Sequence, residues 1–213
     1  MSSCGCQKDA ETASTEIVIQ TMNLLADQIK DTAKAVSRND IYDMLAALLT
    51  AKEKGNSVFV VGAGRSGLVG RAFAMRLMHM GFKAYVISET VTPAVSSGDV
   101  LVAISGSGNT KYVVEVAKKC KRVGAAVVAV TSKDRSELKE LPALNVVLPA
   151  KSKEDESADS EKSDNSGNSA SKTPMGTSFE ILALVFLDSV IMQLIELTGV
   201  TEDEMKARHA NTE

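Results

Sequence analysis

Residues 99–110 read DVLVAISGSGNT. The stretch opens on an apolar run, Val100, Leu101, Val102, Ala103 and Ile104, and passes into Ser105, Gly106, Ser107, Gly108, Asn109 and Thr110. Val113, Val114, Val116 and Ala117 follow at the spacing of one helix face. A strand, a small hydroxylated loop and a helix start in direct succession form a cradle for an anion. The helix N-terminus leaves unpaired N–H groups and a partial positive charge. Glycines let the backbone come close, and the hydroxyls of Ser105, Ser107 and Thr110 donate without adding charge. A helix cap needs one such hydroxyl, and this loop offers three. The lysine of a nucleotide P-loop is missing. The expected ligand is therefore a small phosphorylated metabolite, with Gly106, Gly108 and Asn109 completing the phosphate-binding set.

Outward from this unit, strand and helix patterns alternate. Strands are predicted over 57–61, 83–88, 100–104, 125–131 and 144–148, and helices from 67 to about 80 and over 110–123. Two helices precede the first strand, over 15–36 and 40–54. In the first, Val18, Met22, Leu25, Ile29, Ala33 and Val36 form a stripe suited to the chain's own core and to a neighbouring subunit. A long helix apolar on most faces is predicted over 177–197. Thr201 and Glu204 read as the capping box of a last short helix ending near Arg208 and His209. This pattern predicts an α/β fold: a three-layer α-β-α sandwich around a five-stranded parallel sheet of flavodoxin-like order 2-1-3-4-5. In that order strands 1 and 3 flank the switch point, and the loops after them face one crevice.

Composition bounds the remainder. The chain has 213 residues, 44% of them hydrophobic, and a net charge of −3, which argues against nucleic acid as a partner. Residues 1–14 read as a disordered polar tail and 15–213 as a single domain. Within it, residues 151–172 hold seven serines, six acidic residues, four lysines and no large apolar side chain. This is an insertion expected to stay disordered. No uninterrupted run of 18 apolar residues occurs, so no membrane association is expected. Three cysteines, two of them the free thiols Cys4 and Cys6, fit a reducing cytoplasm.

The loop after the first strand carries Gly62, Gly64 and Gly67 in a G-x-G-x-x-G pattern, with Glu89 22 residues beyond. This is the fingerprint of a dinucleotide site, so an NAD-dependent dehydrogenase is a competing reading. Against it, Arg65 and Ser66 put a cation and a hydroxyl in the turn. The serine loop also has no part in that scheme.

Taken in order, VGAGRSGLVGRAFAMRLMHMGFKAYVISETVTP, SGSGNT, PMGTSFE and the terminal RHAN resemble the 6-phospho-3-hexuloisomerases of the sugar isomerase (SIS) domain superfamily. The resemblance spans the chain apart from the N-terminal tail and the insertion. It implies interconversion of D-arabino-hex-3-ulose 6-phosphate and fructose 6-phosphate through an enediolate, without a cofactor or a metal. It also implies a homo-oligomer, taken as a tetramer, and a 3-hexulose-6-phosphate synthase as pathway partner. The phosphate would lie on the serine loop and on Gly64, Arg65 and Ser66. Glu180 would be the proton-transfer base, although Thr177-Ser178-Phe179-Glu180 also reads as a capping box with the glutamate at its third helical position. His209 would be a second acid/base reaching a neighbouring subunit's site, while His79 reads as a core or helix-dipole residue. Glu89 and Thr92 would rim the sugar. A non-catalytic SIS regulator is the further alternative, but the roughly 56 residues before the first strand are not basic and suggest no DNA-binding module.

Overall fold

The computed structural model describes residues 15–141, 144–149 and 177–212. The expected N-terminal tail and the insertion lie outside the described residues. Helices α1 (Glu16–Ala35) and α2 (Arg38–Lys54) precede β1 (Ser57–Gly62), α3 (Arg65–His79), β2 (Lys83–Val86), β3 (Val100–Ile104) and α4 (Lys111–Arg122). Then come β4 (Ala126–Thr131), the single turn α5 (Glu137–Glu140), β5 (Leu144–Val147), α6 (Thr177–Thr198) and α7 (Glu202–Ala207). The strands pair in parallel throughout, in the order β2-β1-β3-β4-β5. The predicted three-layer architecture is thus the observed one.

Strand periodicity divides the core in two. Val58, Val60, Val100, Val102, Ile104, Val128 and Val130 face α2, α3 and α6, whose Leu48, Phe73, Leu77 and Leu187 fill that layer. The intervening residues Phe59, Val61, Leu101, Ala103, Val127 and Ala129 face α4 and α5 through Val113, Val114, Ala117 and Leu138. Every residue of β3 is buried, because a central parallel strand is covered on both faces. The helices after β1 and β3 lie on opposite faces of the sheet, so the chain diverges above this strand pair and leaves a crevice at its C-terminal end.

At the other end of the sheet Asp99 ties the strand starts together. It is buried, one carboxylate oxygen accepting the Ser57 N–H at 2.8 Å and the other the Ser96 N–H at 2.7 Å. This clamp aligns β1 with β3 before either reaches the crevice.

By length and composition α6 is apolar enough to cross a membrane. In the fold it is a core helix, with Phe179, Leu182, Ala183, Leu187, Val190, Ile191 and Leu194 buried. The start of α1 is different: Ile17 and Val18 are 67% and 60% exposed and Met22 62%, so the inner stripe expected there finds little partner in its own chain.

Helix α7 begins with the predicted capping box, the Thr201 hydroxyl accepting the Glu204 N–H while the Glu204 carboxylate accepts the Thr201 N–H. It docks on the C-terminal end of α3. Arg208 donates to the His79 carbonyl at 3.1 Å and Lys52 to that of Met80 at 2.8 Å, two cations on the negative end of a helix. The buried His79 ring stacks on His209 with centroids 5.1 Å apart. Burial first, then the neighbouring His209 and Arg76, hold the His79 imidazole below its ordinary 6.5.

Two predictions follow from this packing. Asp99→Ala strands two N–H groups and should lower unfolding stability by about 2–4 kcal/mol in urea titrations, whereas an unchanged midpoint would remove the clamp. For His79, the unfolded chain takes up a proton as pH falls through 6.5 while the folded chain resists. Stability is therefore lost as pH falls from 6.5 toward the lowered value. Denaturation of His79→Gln between about pH 7.5 and 5 should show a shallower acid slope than the parent protein; an identical slope counts against this linkage.

Candidate active site at the β1/β3 switch point

Three segments distant in sequence converge above β1 and β3. The first is the β1–α3 turn. Gly64 takes φ +56°, and Arg65 and the buried Ser66 open α3. The other two glycines of the fingerprint serve packing. A Cβ on Gly62 would lie 2.7 Å from the carbonyl group of Ser66, and one on Gly67 would lie 2.9 Å from the Gly62 oxygen. Glycine here allows α3 to rest directly on the end of β1.

The second segment is the serine loop. Its hydroxyls do not all face outward. Ser105 is buried, its Oγ 2.9 Å from Thr110 Oγ1 and accepting the Gly108 N–H at 3.2 Å. One proton of the Ser105–Thr110 pair lies between the two oxygens, leaving one to donate elsewhere. Ser107 Oγ accepts the Asn109 N–H at 3.2 Å and keeps its own proton for a ligand. The loop thus offers two hydroxyl protons, together with the first-turn amides of α4 that helix geometry leaves open.

The third segment is the first turn of α6. A Cβ on Gly106 would sit 2.9 Å from the Phe179 ring, so the loop backbone lies against the helix. The next residue, Glu180, is only 4% exposed, and its Oε2 accepts Arg65 Nε at 2.5 Å across 115 positions of sequence. Arg65 itself is 56% exposed. The expected capping role of Glu180 therefore meets a tertiary partner: α6 begins at Thr177, and the carboxylate is engaged by the cation of another segment.

Other expected site residues lie elsewhere. The Asn109 side-chain oxygen accepts the Glu137 N–H at 2.9 Å, so this end of the side chain braces α5. Glu89, the acid a dinucleotide ribose would need, pairs with Arg71 at 2.9 Å, and the Thr92 hydroxyl donates to the Val86 carbonyl at 2.6 Å. Both belong to the loop after β2, on the far side of β1 from the serine loop. Between β1 and β2 lies a cleft of about 270 Å³ that shares the β1–α3 turn, lined by Gly62, Gly64, Gly67, Arg71, Val86 and Ser88. His209 does not join the site of its own chain. It stacks on His79 at the far end of α3, whose position lies about 21 Å along the helix from Arg65, 14 steps at a rise of 1.5 Å. Phe179 and Ser132 escaped the sequence reading, because an apolar residue in an apolar helix and a serine after a strand carry no distinguishing pattern.

The SIS domain family matches residues 51–184, which contain all three converging segments. The chain is 35% identical to the 3-hexulose-6-phosphate isomerase of Bacillus subtilis, over 94% of this chain and 99% of that one. It is 34% identical to the protein of the same name from Methanocaldococcus jannaschii, over 91% and 97%. The crystal structure of a hypothetical protein of Methanococcus jannaschii, from which a molecular function of 3-hexulose-6-phosphate isomerase was inferred, superposes with a TM-score of 0.75. That match has 31% identity and covers 91% of this chain and 99% of the other. The chain belongs to the SIS domain family, within the group of homologous proteins that includes the 3-hexulose-6-phosphate isomerases.

Proposed function

We propose that the protein is a sugar-phosphate isomerase that interconverts D-arabino-hex-3-ulose 6-phosphate and D-fructose 6-phosphate. The observation that carries this reading is the buried Glu180 carboxylate, held by Arg65 at the crevice that the hydroxyl-rich loop before α4 also faces. The serine loop, Gly64, Arg65 and Ser66 bind the phosphate end of the substrate. In the direction of fructose 6-phosphate, Glu180 takes the proton from C2 of the 3-ketose. The electrons of that C–H bond form the C2–C3 double bond, and the C3 carbonyl becomes the enediolate oxygen. Arg65, already on the carboxylate, stabilises that oxyanion. Return of the proton to C3 and passage of the C2 hydroxyl proton to the C3 oxyanion complete the shift of the carbonyl to C2. A carboxylate that moves one proton between adjacent carbons is sufficient for this chemistry.

In this reading the enzyme acts in the cytoplasm on the product of a 3-hexulose-6-phosphate synthase. It assembles as a homo-oligomer, taken as a tetramer, in which His209 of one copy reaches the site of another. The exposed apolar residues Ile17, Val18, Ile19 and Met22 of α1 and Met192 and Leu197 of α6 support an assembled state. Sedimentation at micromolar concentration should therefore give a species heavier than the 22.5 kDa chain, and a monomer would remove both the assembly and the shared histidine.

The activity is tested by coupling ribulose 5-phosphate, formaldehyde and a hexulose-phosphate synthase to the protein and reading fructose 6-phosphate. Production above the synthase-only background is expected, and its absence rejects the reading. Glu180→Gln keeps the shape and a hydrogen-bond acceptor for Arg65 but removes the base. It should lower kcat by about 10²–10⁴-fold while inorganic phosphate still inhibits at its former concentration. Solvent deuterium incorporation at C3 of fructose 6-phosphate should fall in parallel. Near-native turnover in the folded variant would assign the proton transfer to another group.

A further inference from the structure

The β4–α5 connection holds polar groups that the proposed reaction does not use, and they are turned onto the serine loop. The Gly106 carbonyl accepts twice from Ser132, from its N–H at 3.0 Å and from its hydroxyl at 2.7 Å. The Gly108 carbonyl accepts the Leu138 N–H at 3.1 Å, and the Asn109 side chain accepts that of Glu137. Ser136, the N-cap of α5, lies so close to Gly108 that a Cβ there would fall 2.3 Å from its hydroxyl. Loop carbonyls are thus gathered on the β4 side.

A trans peptide directs its C=O and its N–H to opposite sides, and the described residues contain no cis peptide. Holding the Gly106 carbonyl on Ser132 therefore turns the Ser107 N–H away from the β4–α5 connection. That N–H has no acceptor among the described residues. A peptide that follows glycine rotates with little steric resistance, so this orientation needs an external hold.

We propose that Ser132 is a positioning residue of the phosphate site: by fixing the Gly106 carbonyl it aims the Ser107 N–H at the phosphate of the substrate. The proposal rests on the reading of the serine loop as the phosphate site of a sugar-phosphate isomerase. Ser132 acts through the peptide and does not touch the anion, because its hydroxyl has one proton and that proton lies on the Gly106 carbonyl.

The test compares Ser132→Ala, Ser132→Thr and Ser132→Cys with the parent protein for KM, kcat, the inhibition constant of inorganic phosphate and Tm. In Ser132→Ala, KM and the phosphate constant should rise together by about three- to tenfold, with kcat within about twofold, since phosphate binding is shared by ground and transition states. Ser132→Thr, which keeps the hydroxyl, should restore both. A purely structural serine would lower Tm and leave KM and phosphate inhibition of the folded protein unchanged, and that result overturns the proposal. If the alanine variant does not fold, the weaker donor in Ser132→Cys should give the same split at smaller amplitude, and parent values in that variant also overturn it. Failure of the underlying reading looks different: the parent protein then makes no fructose 6-phosphate, or Ser105→Ala/Ser107→Ala leaves KM where it was.

Discussion

A buried carboxylate paired with an arginine from a distant segment governs how this molecule is put together. Glu180 is almost fully removed from water, and an ionised carboxylate there needs a charged or hydrogen-bonding partner close at hand. Arg65 supplies it from the opposite wall of the crevice. The start of α6 must then lie within reach of the β1–α3 turn, and the preceding Phe179 meets the backbone of Gly106. One contact thus seats the helix and sets a carboxylate at the edge of the crevice. Because Arg65 is largely exposed, solvent screens the pair, and its importance lies in placement more than in stability.

The two glycine-rich loops resemble each other in sequence and do different physical work. In the first, Gly62 and Gly67 remove side chains that would collide where α3 crosses the end of β1. In the second, Gly106 makes room for an aromatic ring, and the peptides around it present polar groups on opposite sides. A fingerprint that usually announces a dinucleotide is here a solution to close helix–strand packing. The acid that would complete the dinucleotide reading, Glu89, is held by Arg71.

The serine loop is also stiffer than a row of free hydroxyls would be. Ser105 and Thr110 bond each other, Ser107 accepts from Asn109, and the β4–α5 connection holds the carbonyls from behind. Such preorganisation reduces the ordering that binding must impose, at the cost of one fewer hydroxyl donor than side-chain counting suggests.

The architecture was legible in the amino-acid order, because short apolar runs separated by helix-period segments leave few alternatives to a doubly wound parallel sheet. The loops after β1 and β3 were legible as one crevice for the same reason: strand order places them there. Glu180 could be singled out but read equally as a helix cap, since local spacing cannot reveal a partner 115 positions away. The tertiary structure decided that the carboxylate belongs with Arg65, that Asn109 braces α5, and that Glu89 pairs with Arg71 of α3 while Thr92 bonds the end of β2. It also placed His209 at the far end of α3, on His79. Sequence periodicity records which face of an element is buried. Which polar atoms meet across the fold depends on how those faces are packed, and that is settled only when distant segments share one space.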